Sequence, residues 1–534
     1  AGTACTAARL LTSSSSRMAD HSAPAEPRAA NAAASDGDDA CALAPLELGP
    51  ALRKEFRLCE GVVHQNHGSF GSVPRCVAAT RREILERIEA YPDRFFRHDA
   101  VKQYAEACDK VGAWVGAEPG STVLVENATA GVNTALLSAP LAAGDEVLCF
   151  AGTYNACKNA VYDVCRRTGA TAVVSWLPLH CEDADAVVAR VRAVLDRRPA
   201  AKLVVLDHIT SPTAVVLPVK ALCALCRSRG VLTIVDGAHA PGSVELDVAD
   251  VGADWYTGNL HKWAFSPRGV ALLHARSEVQ DQTRPLVTSH FWASPSMQAR
   301  FFMQGTNDQS RYLASPAALA FFERLGGRGA VISFQQGLLR GAVEEARAQW
   351  AAIAPSAEAA AKLAPLGSEP GSLVMPVDRC AGMCSICTPL RAEPFLRGAA
   401  AASPTPLDVA GWREGVTDMV VSPADATAAA PSALGPATAP IRTPVFSSNR
   451  VWAEAEADGG LPERVARVLF SDAGVQTALF VAEGAIWLRV SAAVYSSVED
   501  IKASITAVSN LARRCAAAEF ARGSMVADGE AALV

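Results

Sequence analysis

The fold is decided by the stretch "KLVVLDHITSPTAVVLPVKALCALCRSRGVLTIVD" (202–236). Two apolar, β-branched runs, "KLVVLD" and "VLTIVD", flank a helical pattern at 218–230 that ends on glycine. Each run ends on an aspartate, and Asp207 and Asp236 are 29 residues apart, the length of one strand–helix–strand repeat. Such continuous apolar runs are typical of strands buried on both faces of a parallel sheet. The stretch therefore predicts two parallel strands joined by a helix.

The same alternation continues toward the N-terminus. Three further apolar runs bounded by turn residues, "STVLVEN", "DEVLCF" and "TAVVSW", predict strands at 121–127, 145–150 and 171–176. Helical patterns at 155–169 and 183–199 separate the later ones. We expect an α/β fold with a mostly parallel central sheet flanked by helices. In such a fold, ligands bind at the carboxyl ends of the strands.

Composition excludes several classes of protein. The 534 residues include 49 Lys+Arg and 55 Asp+Glu, a net charge of −6, so we expect no nucleic-acid partner because phosphate neutralisation needs a basic surplus. No uncharged apolar run reaches the length of a membrane span, so we expect no membrane partner. The odd number of cysteines, 15, indicates a reducing compartment, cytoplasmic or organellar, and not secretion.

Two biased segments stand apart from this pattern. Residues 1–45 are rich in Ala and Ser and contain no acid before Asp20, which predicts a disordered or targeting segment; a translated leader before Met18 is the alternative. Residues 398–439 are dominated by Ala, Pro, Ser and Thr without apolar periodicity. We interpret this second segment as a low-complexity insert that serves as a linker.

Two strand ends carry candidate chemistry. After "STVLVEN", the small residues Ala128 and Thr129 begin a helix whose unpaired N–H groups suit an anion, although a plain Asn127 helix cap explains them too. Asp236 ends its strand in "TIVDGAHAPG", where a carboxylate could fix the protonation of a bound heteroaromatic nitrogen. A strand-end aspartate that makes only turn hydrogen bonds is the alternative.

The third strand end is "DWYTGNLHKWAFSPRG". Lys262 lies between His261 and Trp263 in an apolar stretch, where desolvation lowers the pKa of an amine. A deprotonated lysine can form a Schiff base. Most Lys-Trp pairs are surface accidents, but the three motifs in this order within one α/β domain are strong together.

The sequence here resembles the fold-type I pyridoxal 5′-phosphate enzymes, and within them the class V aminotransferase group. The resemblance is strongest to the branch of isopenicillin N epimerase-like and cysteine desulfhydrase-like proteins. It covers roughly residues 60–510 and rests on the blocks "NHGSFGSVP", "NATAGVNTAL", "DHITSPTAVVLPV", "VDGAHAPG", "GNLHKW", "QGTNDQSRYLASPAAL" and "LRVSAAVYSSVEDI".

The resemblance implies a domain organisation. It predicts a large cofactor-binding domain and a smaller C-terminal α+β domain, preceded by an arm and interrupted by the insert. The predicted limits are 46–75 for the N-terminal arm, 76–315 for the large domain and 316–534 for the small domain.

It also implies roles for individual residues toward pyridoxal phosphate. Lys262 forms the Schiff base and is the general base at Cα, and Asp236 pairs with the ring nitrogen. Tyr154 stacks on the cofactor as a third catalytic residue. The remaining predicted cofactor ligands are Ala128, Thr129, Asn259 and His261 at the phosphate and Ser211 and His239 at the ring oxygen, where Ser211 departs from the asparagine of desulfurases.

The substrate, an amino acid, is assigned to a separate group of residues. Arg489 is expected to bind its carboxylate, with Asn66 and His67 nearby. The resemblance further implies a homodimer with shared sites, in which Gly305 and Thr306 reach the partner's phosphate; an ordinary turn is the alternative for these two residues.

The absence of a cysteine narrows the range of expected reactions. The desulfurase branch carries a nucleophilic cysteine shortly before the carboxylate-binding arginine, and residues 471–489 contain none. We therefore expect an epimerase or a C–S lyase, with transamination as the alternative. A catalytically silent scaffold is disfavoured by the presence of Lys262 and Asp236.

A cluster of cysteines suggests an alternative hypothesis, a protein that binds an iron-sulfur cluster. Cys380, Cys384 and Cys387 form CxxxCxxC, the spacing of an iron-sulfur site, although chance explains it well. Cys223 and Cys226 stand one helical turn apart and are predicted to pack in the core rather than bind metal.

Overall fold

The computed structural model describes residues 44–177, 183–351, 353, 369–391, 418–422, 461–482 and 485–525. All of these fall in one compact unit, Gly37–Val534, so the predicted boundary at residue 315 stays a prediction. The segment predicted at 1–45 lies outside the described residues except for its last two positions. None of the helices in the described residues combines the length and the apolar character that a membrane crossing requires.

The described residues contain thirteen strands, which we number in chain order. They are β1 (Val63–His64), β2 (Thr122–Val125), β3 (Glu146–Phe150), β4 (Thr171–Ser175), β5 (Ala201–Asp207), β6 (Leu232–Asp236), β7 (Trp255–Asn259), β8 (Ala271–Ala275), β9 (Met383–Arg391), β10 (Met419–Val421), β11 (Val475–Gln476), β12 (Ala478–Ala482) and β13 (Ala485–Ser491).

The α-helices are numbered in the same way. They are α1 (His67–Phe70), α2 (Arg75–Ala90), α3 (Pro92–Arg94), α4 (Ala100–Trp114), α5 (Ala128–Ser138), α6 (Asn155–Thr168), α7 (Ala184–Arg197), α8 (Val219–Ser228), α9 (Val248–Val251), α10 (Leu260–Trp263), α11 (Ser277–Gln280), α12 (Met297–Phe302), α13 (Ser310–Leu313), α14 (Ser315–Arg324), α15 (Gly327–Trp350), α16 (Leu461–Ala473) and α17 (Val498–Met525). Pro50–Glu55 and Val377–Arg379 are 3₁₀-helices, and Phe95–Asp99 is a π-helix.

The central sheet has eight strands in the order β10-β4-β3-β5-β6-β7-β8-β2. The five strands from β4 to β7 in this order are mutually parallel, while β8 and β10 run antiparallel to their neighbours. The deciding stretch forms β5, α8 and β6, as predicted, and β5 and β6 pair in parallel. The mostly parallel α/β prediction is confirmed.

Burial explains why these runs become strands. The last five residues of β5 and the last four of β6 are buried. Along β5, Val204 and Leu206 pack into one hydrophobic cluster and Leu203 and Val205 into another, so both faces of the sheet are covered. A helix such as α6 ends where the sequence permits a turn: Gly169 has a φ of 78°, in the left-handed region that glycine adopts without a Cβ clash.

A second, antiparallel sheet follows later in the chain, in the order β12-β13-β9. Its strand β13 is completely buried, and α15 and α17 pack on β9. Arg489 stands in β13 directly opposite Ser385 of β9. Arg489 is therefore held in position by the buried backbone of the small sheet.

The interpretation of residues 398–439 as a plain linker is wrong at residues 418–422. Residues Met419–Val421 form β10 and add to the edge of the central sheet by pairing with β4. The Asp418 side chain, 2% exposed, forms ion pairs with Arg197 and Arg198 and accepts a hydrogen bond from Ser175. A three-residue strand is too short to leave a periodic signal, so sequence reasoning missed it.

Candidate active site

The carboxyl ends of the parallel strands supply the polar side chains of the site. β6 ends at Asp236, and β7 ends at Asn259, directly before the short helix that carries Lys262. His239 follows β6, and its Nε2 lies 3.1 Å from Lys262 Nζ. Because neighbouring parallel strands end at the same edge of a sheet, these predicted residues are brought together.

Lys262 is a buried amine. Its side chain forms no ion pair within the described parts of the chain, and the residue is 9% exposed. Burial lowers its pKa from 10.5 to about 7, and the negative charge of Asp236 opposes this only in part. Burial and the neighbouring Lys262 lower the pKa of His239 well below its usual value, so the imidazole is neutral. A large share of Lys262 is thus unprotonated at neutral pH, the form that acts as nucleophile or base.

Asp236 is a buried carboxylate with both oxygens engaged. Oδ1 accepts the Ala238 N–H at 3.0 Å, and Oδ2 accepts the Cys157 thiol at 3.2 Å. Burial raises the pKa of Asp236, whereas Lys262 acts in the opposite direction. Its register partner Asp207 is buried beside it, and burial together with the charge of Asp236 raises the pKa of Asp207 to about 7.

The N-terminus of α5 forms the expected anion cradle in part. The Ala128 N–H donates to Asn259 Oδ1 at 2.9 Å, and the Ala130 N–H donates to Asn127 Oδ1 at 2.9 Å. Ala128 is therefore not a free donor. The Thr129 N–H has no acceptor among the described residues, so it is the backbone donor left for an anion.

His261 lies across β8 from this cradle with one ring nitrogen committed. Its Nδ1 is 3.0 Å from the Val270 carbonyl, which can only accept, so Nδ1 carries the proton. Burial lowers the pKa of His261 to about 4. Nε2 is therefore the nitrogen that His261 can offer to a ligand.

Arg489 is a buried cation without a carboxylate. Its Nη2 donates to Asn66 Oδ1 at 2.8 Å and to Ser69 Oγ at 2.7 Å, and its Nη1 donates to the Ser211 carbonyl. It forms no ion pair within the described residues, and its Nε is buried without an acceptor. Burial lowers the pKa of Arg489 to about 10, so it stays charged at neutral pH.

Both ring nitrogens of His67 are hydrogen-bonded within the protein. Its Nε2 is 2.9 Å from the Lys262 carbonyl, which must accept, so the other nitrogen accepts from the Tyr495 hydroxyl at 3.0 Å. Burial lowers the pKa of His67 to about 4, so the ring stays neutral and makes both bonds. His67 thus has no nitrogen left for a substrate, while Asn66 contacts Arg489.

The remaining predicted residues lie in different parts of the structure: they are Tyr154, Ser211 and those of the 305–306 loop. Tyr154 is the N-cap residue of α6, and burial raises its pKa; the charges of Asp236 and Arg489 are near enough to act on that pKa in opposite directions. Ser211 contributes its backbone carbonyl to Arg489. Gly305 and Thr306 are exposed, and no hydrogen bond in the described parts of the chain joins them to Lys262 or Asp236.

Sequence reasoning missed three residues that contact the predicted ones. Ser69 holds Arg489 and also donates to Asn66 Oδ1 at 2.6 Å. Cys157 donates to Asp236, and Asp207 accepts the Tyr154 N–H at 3.4 Å. Only Asp207 left a signal, because it ends its strand one repeat before Asp236.

The cysteine hypothesis is not supported by the geometry. Cys384 and Cys387 lie three residues apart on β9, and because side chains alternate along a strand they point to opposite faces. No group of His, Cys, Asp or Glu in the described residues could hold a metal ion. Cys223 and Cys226 are buried in the core on α8, as predicted. No disulfide bond links the cysteines of the described residues.

The chain is similar to known proteins over its strand-rich part. The model of the family described as Aminotransferase class-V matches residues 71–330. A protein named putative L-cysteine desulfhydrase 2 from Oryza sativa subsp. japonica is 36% identical over 294 residues, which cover 52% of this chain and 61% of that protein. Isopenicillin N epimerase from Streptomyces clavuligerus is 31% identical over 282 residues, 50% of this chain and 70% of that protein.

Solved structures share the fold. The apo structure of cysteine desulfurase from Thermococcus onnurineus NA1 matches with a TM-score of 0.59 at 16% identity, covering 88% of this chain and 100% of that one. This confirms the fold-type I prediction. The chain spans about three fifths of the length of the rice proteins that it matches.

Proposed function

Because the chain belongs to the class-V aminotransferase family, a family of pyridoxal-phosphate enzymes, we propose that it binds pyridoxal 5′-phosphate and transforms an amino acid at Cα or Cβ. The reaction proposed is epimerisation or C–S bond cleavage, the two activities in the names of the relatives it matches. Transamination is the alternative within the same family.

One observation carries the proposal: two buried basic side chains, Lys262 and Arg489, form no ion pair with a carboxylate among the described residues. An unpaired buried charge is costly, so a charged Arg489 is expected where a ligand supplies the missing partner, whereas Lys262 can lose its charge by giving up a proton. The α-carboxylate of an amino acid suits Arg489, and a carbonyl carbon or a Cα proton suits a neutral Lys262.

The residues also fit pyridoxal phosphate. The free Thr129 N–H and the Asn259 side-chain amide suit its phosphate at the N-terminus of α5, and His261 Nε2 can donate once it takes up a proton, which the phosphate charge favours. Asp236 suits the ring nitrogen because a buried carboxylate can hold a proton there. When bound, this cofactor supplies an electron sink for the pair released as a bond at Cα breaks.

Arg489 binds and orients the substrate. Asn66, Ser69 and the Ser211 carbonyl fix the guanidinium plane, which leaves Nε free to donate to the carboxylate. Since the side chain is almost fully buried, the ion pair forms away from water and is stronger for it. This contact fixes which Cα bond faces Lys262.

Lys262 moves the proton. With a pKa of about 7 its amine accepts the Cα proton near neutral pH, and the adjacent neutral His239 stabilises Nζ without adding charge. In an epimerase a proton from a second group or from water adds to the face of Cα opposite Lys262; in a C–S lyase a proton goes to the leaving sulfur.

A protein persulfide is not part of this proposal. Burial raises the pKa of Cys380 to about 12 and that of Cys384 well above its usual value, so these thiols remain protonated. A protonated, buried thiol is a poor nucleophile. A lyase on this chain is therefore proposed to release sulfide without passing it to Cys380 or Cys384.

We also propose a homodimer with shared sites. Support comes from the exposed 305–306 loop, where Gly305 has a φ of 97° and open space around it, and from exposed apolar side chains such as Phe291 and Trp292 earlier on the same segment. Mixing Thr306→Ala with Lys262→Ala tests this, because one site of the mixed dimer then carries both lesions and the other neither. Activity above the average of the parents supports sharing, and activity at that average rejects it.

A reducing compartment, cytoplasmic or organellar, is proposed as the location, supported by the lack of disulfide bonds among the described cysteines. A fusion of residues 1–45 to a fluorescent protein tests it: diffuse or organellar fluorescence supports the proposal, and export contradicts it.

The deciding experiment for the reaction is a screen of L- and D-amino acids and cysteine derivatives in D₂O. Exchange of the Cα hydrogen, racemisation, sulfide and keto acid are measured together, with Lys262→Ala as the inactive control. Exchange with racemisation indicates an epimerase, and sulfide with keto acid indicates a lyase. A protein that holds the cofactor yet exchanges no Cα hydrogen contradicts the proposal.

A further inference from the structure

Cys157 occupies the first turn of α6 and is completely buried. Its thiol donates to Asp236 Oδ2 at 3.2 Å, while Asp236 Oδ1 accepts the backbone N–H of Ala238. Burial and the nearby carboxylates raise the pKa of Cys157 well above its usual value, so the sulfur keeps its proton. Cys157 is therefore a donor to Asp236 at every physiological pH.

The surroundings of Asp236 explain why a donor is needed. Asp207 is its register partner and is also buried, so two carboxyl groups lie at adjacent strand ends. Asp207 has its own donor in the Tyr154 N–H, and Lys158 is nearby. The other titratable groups that face Asp236 are Lys262, Tyr154 and Tyr256. Without a donor on Oδ2, only the Ala238 N–H on Oδ1 would hold the plane of the Asp236 carboxylate against repulsion from Asp207.

We propose that Cys157 is a positioning residue: its thiol fixes the carboxylate plane of Asp236 toward the ring nitrogen of bound pyridoxal phosphate. This inference rests on the proposed cofactor. A thiol is a weak donor, so it orients the carboxylate and leaves Asp236 basic enough to hold the proton shared with that nitrogen. A stronger donor in its place draws charge from the same oxygen.

The chain offers a matched control. Cys165 lies on the same helix and in the same core cluster, is equally buried, and makes no contact with Asp236 among the described residues. Cys157→Ala and Cys165→Ala thus remove the same atom from one helix at two places, and Cys157→Ser restores a donor on a shorter bond.

The experiment measures cofactor dissociation by equilibrium dialysis and the pH dependence of the bound cofactor's absorption. Cys157→Ala is expected to weaken cofactor binding about threefold to tenfold, as for one lost hydrogen bond, and to shift the absorption titration. Cys157→Ser recovers part of both changes, and Cys165→Ala matches the wild type within about twofold. Equal behaviour of Cys157→Ala and Cys165→Ala overturns the inference.

A second measurement needs no cofactor. The infrared S–H stretching band of Cys157, isolated as the difference between wild type and Cys157→Ala, is expected to move to higher frequency in Asp236→Ala because the acceptor is gone. An unmoved band rejects the contact. If the wild type binds no pyridoxal phosphate, the proposed function fails, whereas the infrared band still reports on Cys157 and Asp236.

Discussion

Two buried cations reach the site from two different sheets. Lys262 follows β7 of the eight-stranded sheet, and Arg489 stands in β13 of the three-stranded sheet. They are 9% and 5% exposed, yet burial leaves Lys262 with a pKa of about 7 and Arg489 with a pKa of about 10. At neutral pH the first readily gives up its charge and the second keeps it.

The difference lies in the intrinsic basicity of the two groups and in what surrounds them. Arg489 donates to three oxygens, of Asn66, Ser69 and Ser211, which stabilise its charge. Among the described residues, Lys262 Nζ has one hydrogen-bonding neighbour, the neutral His239. Similar burial thus produces a base in one region and a fixed positive charge in the other, which is the division of labour that proton abstraction from an amino acid requires.

Replacing Lys262 is expected to have the largest effect. Lys262→Arg keeps a cation but cannot lose its proton, so turnover should fall by on the order of 10³-fold or more. Steady-state kinetics and borohydride reduction followed by peptide mass analysis check the loss of base and of covalent attachment.

Lys262→Ala is the companion variant, since it removes the amine without adding bulk. Both variants should lose the covalent link while thermal unfolding shows a folded protein. A cofactor still trapped on the Lys262→Ala protein would show that another residue is the attachment site.

Replacing Arg489 should mainly weaken the binding of the substrate. Arg489→Lys keeps the charge but loses the planar contacts with Asn66 and Ser69, so we expect KM to rise by about 10- to 100-fold with a smaller change in kcat. An amino acid amide serves as the control substrate because it lacks the carboxylate. If KM rises as much for the amide as for the amino acid, Arg489 does not bind the carboxylate.

The fold and one of these two cations were predictable from the sequence on physical grounds. The apolar runs of β5 and β6 and the repeat length between Asp207 and Asp236 predict parallel strands because local pattern and burial agree there. Lys262 was predictable because its apolar neighbours adjoin it in sequence. Arg489 was assigned only through family resemblance.

The contacts between distant segments were not predictable. Arg489 meets Asn66 across 423 positions, and Asp418 meets Arg198 across 220, and neither pairing leaves a local pattern. His67 was expected to bind substrate, yet its ring is occupied by the Lys262 carbonyl and Tyr495. Motifs identify residue types, but only the folded chain decides whether a polar atom is left free.

The third prediction concerns stability, where burying an amine carries a cost. The unfolded chain binds a proton at Lys262 below pH 10.5 and the folded chain does so only below about pH 7, so the penalty is complete below pH 7 and disappears as pH rises to 10.5. Lys262→Met should therefore stabilise the cofactor-free protein at pH 7 by on the order of 1–3 kcal/mol.

Denaturant unfolding from pH 6 to pH 10 measures this gain, which should shrink with rising pH. Lys220→Met is the control because Lys220 is exposed and paired with Asp250. A gain that does not depend on pH would come from the apolar methionine alone and would place the Lys262 pKa near its ordinary value.

The smallest expected effect tests what keeps Arg489 fixed. Ser69 accepts from Arg489 Nη2 and donates to Asn66 Oδ1, so Ser69→Ala removes one of the three acceptors of Arg489 and one of the two hydrogen bonds that hold Asn66 Oδ1. We expect KM to rise about twofold to tenfold with kcat nearly unchanged.

In an Arg489→Lys background the same change should add almost nothing, because an ammonium cannot use both acceptors in the geometry that holds the guanidinium. Additive losses in this double-mutant cycle would mean that Ser69 contacts the substrate itself. The site would then select its amino acid through two independent groups rather than through one arginine held in place by its neighbours.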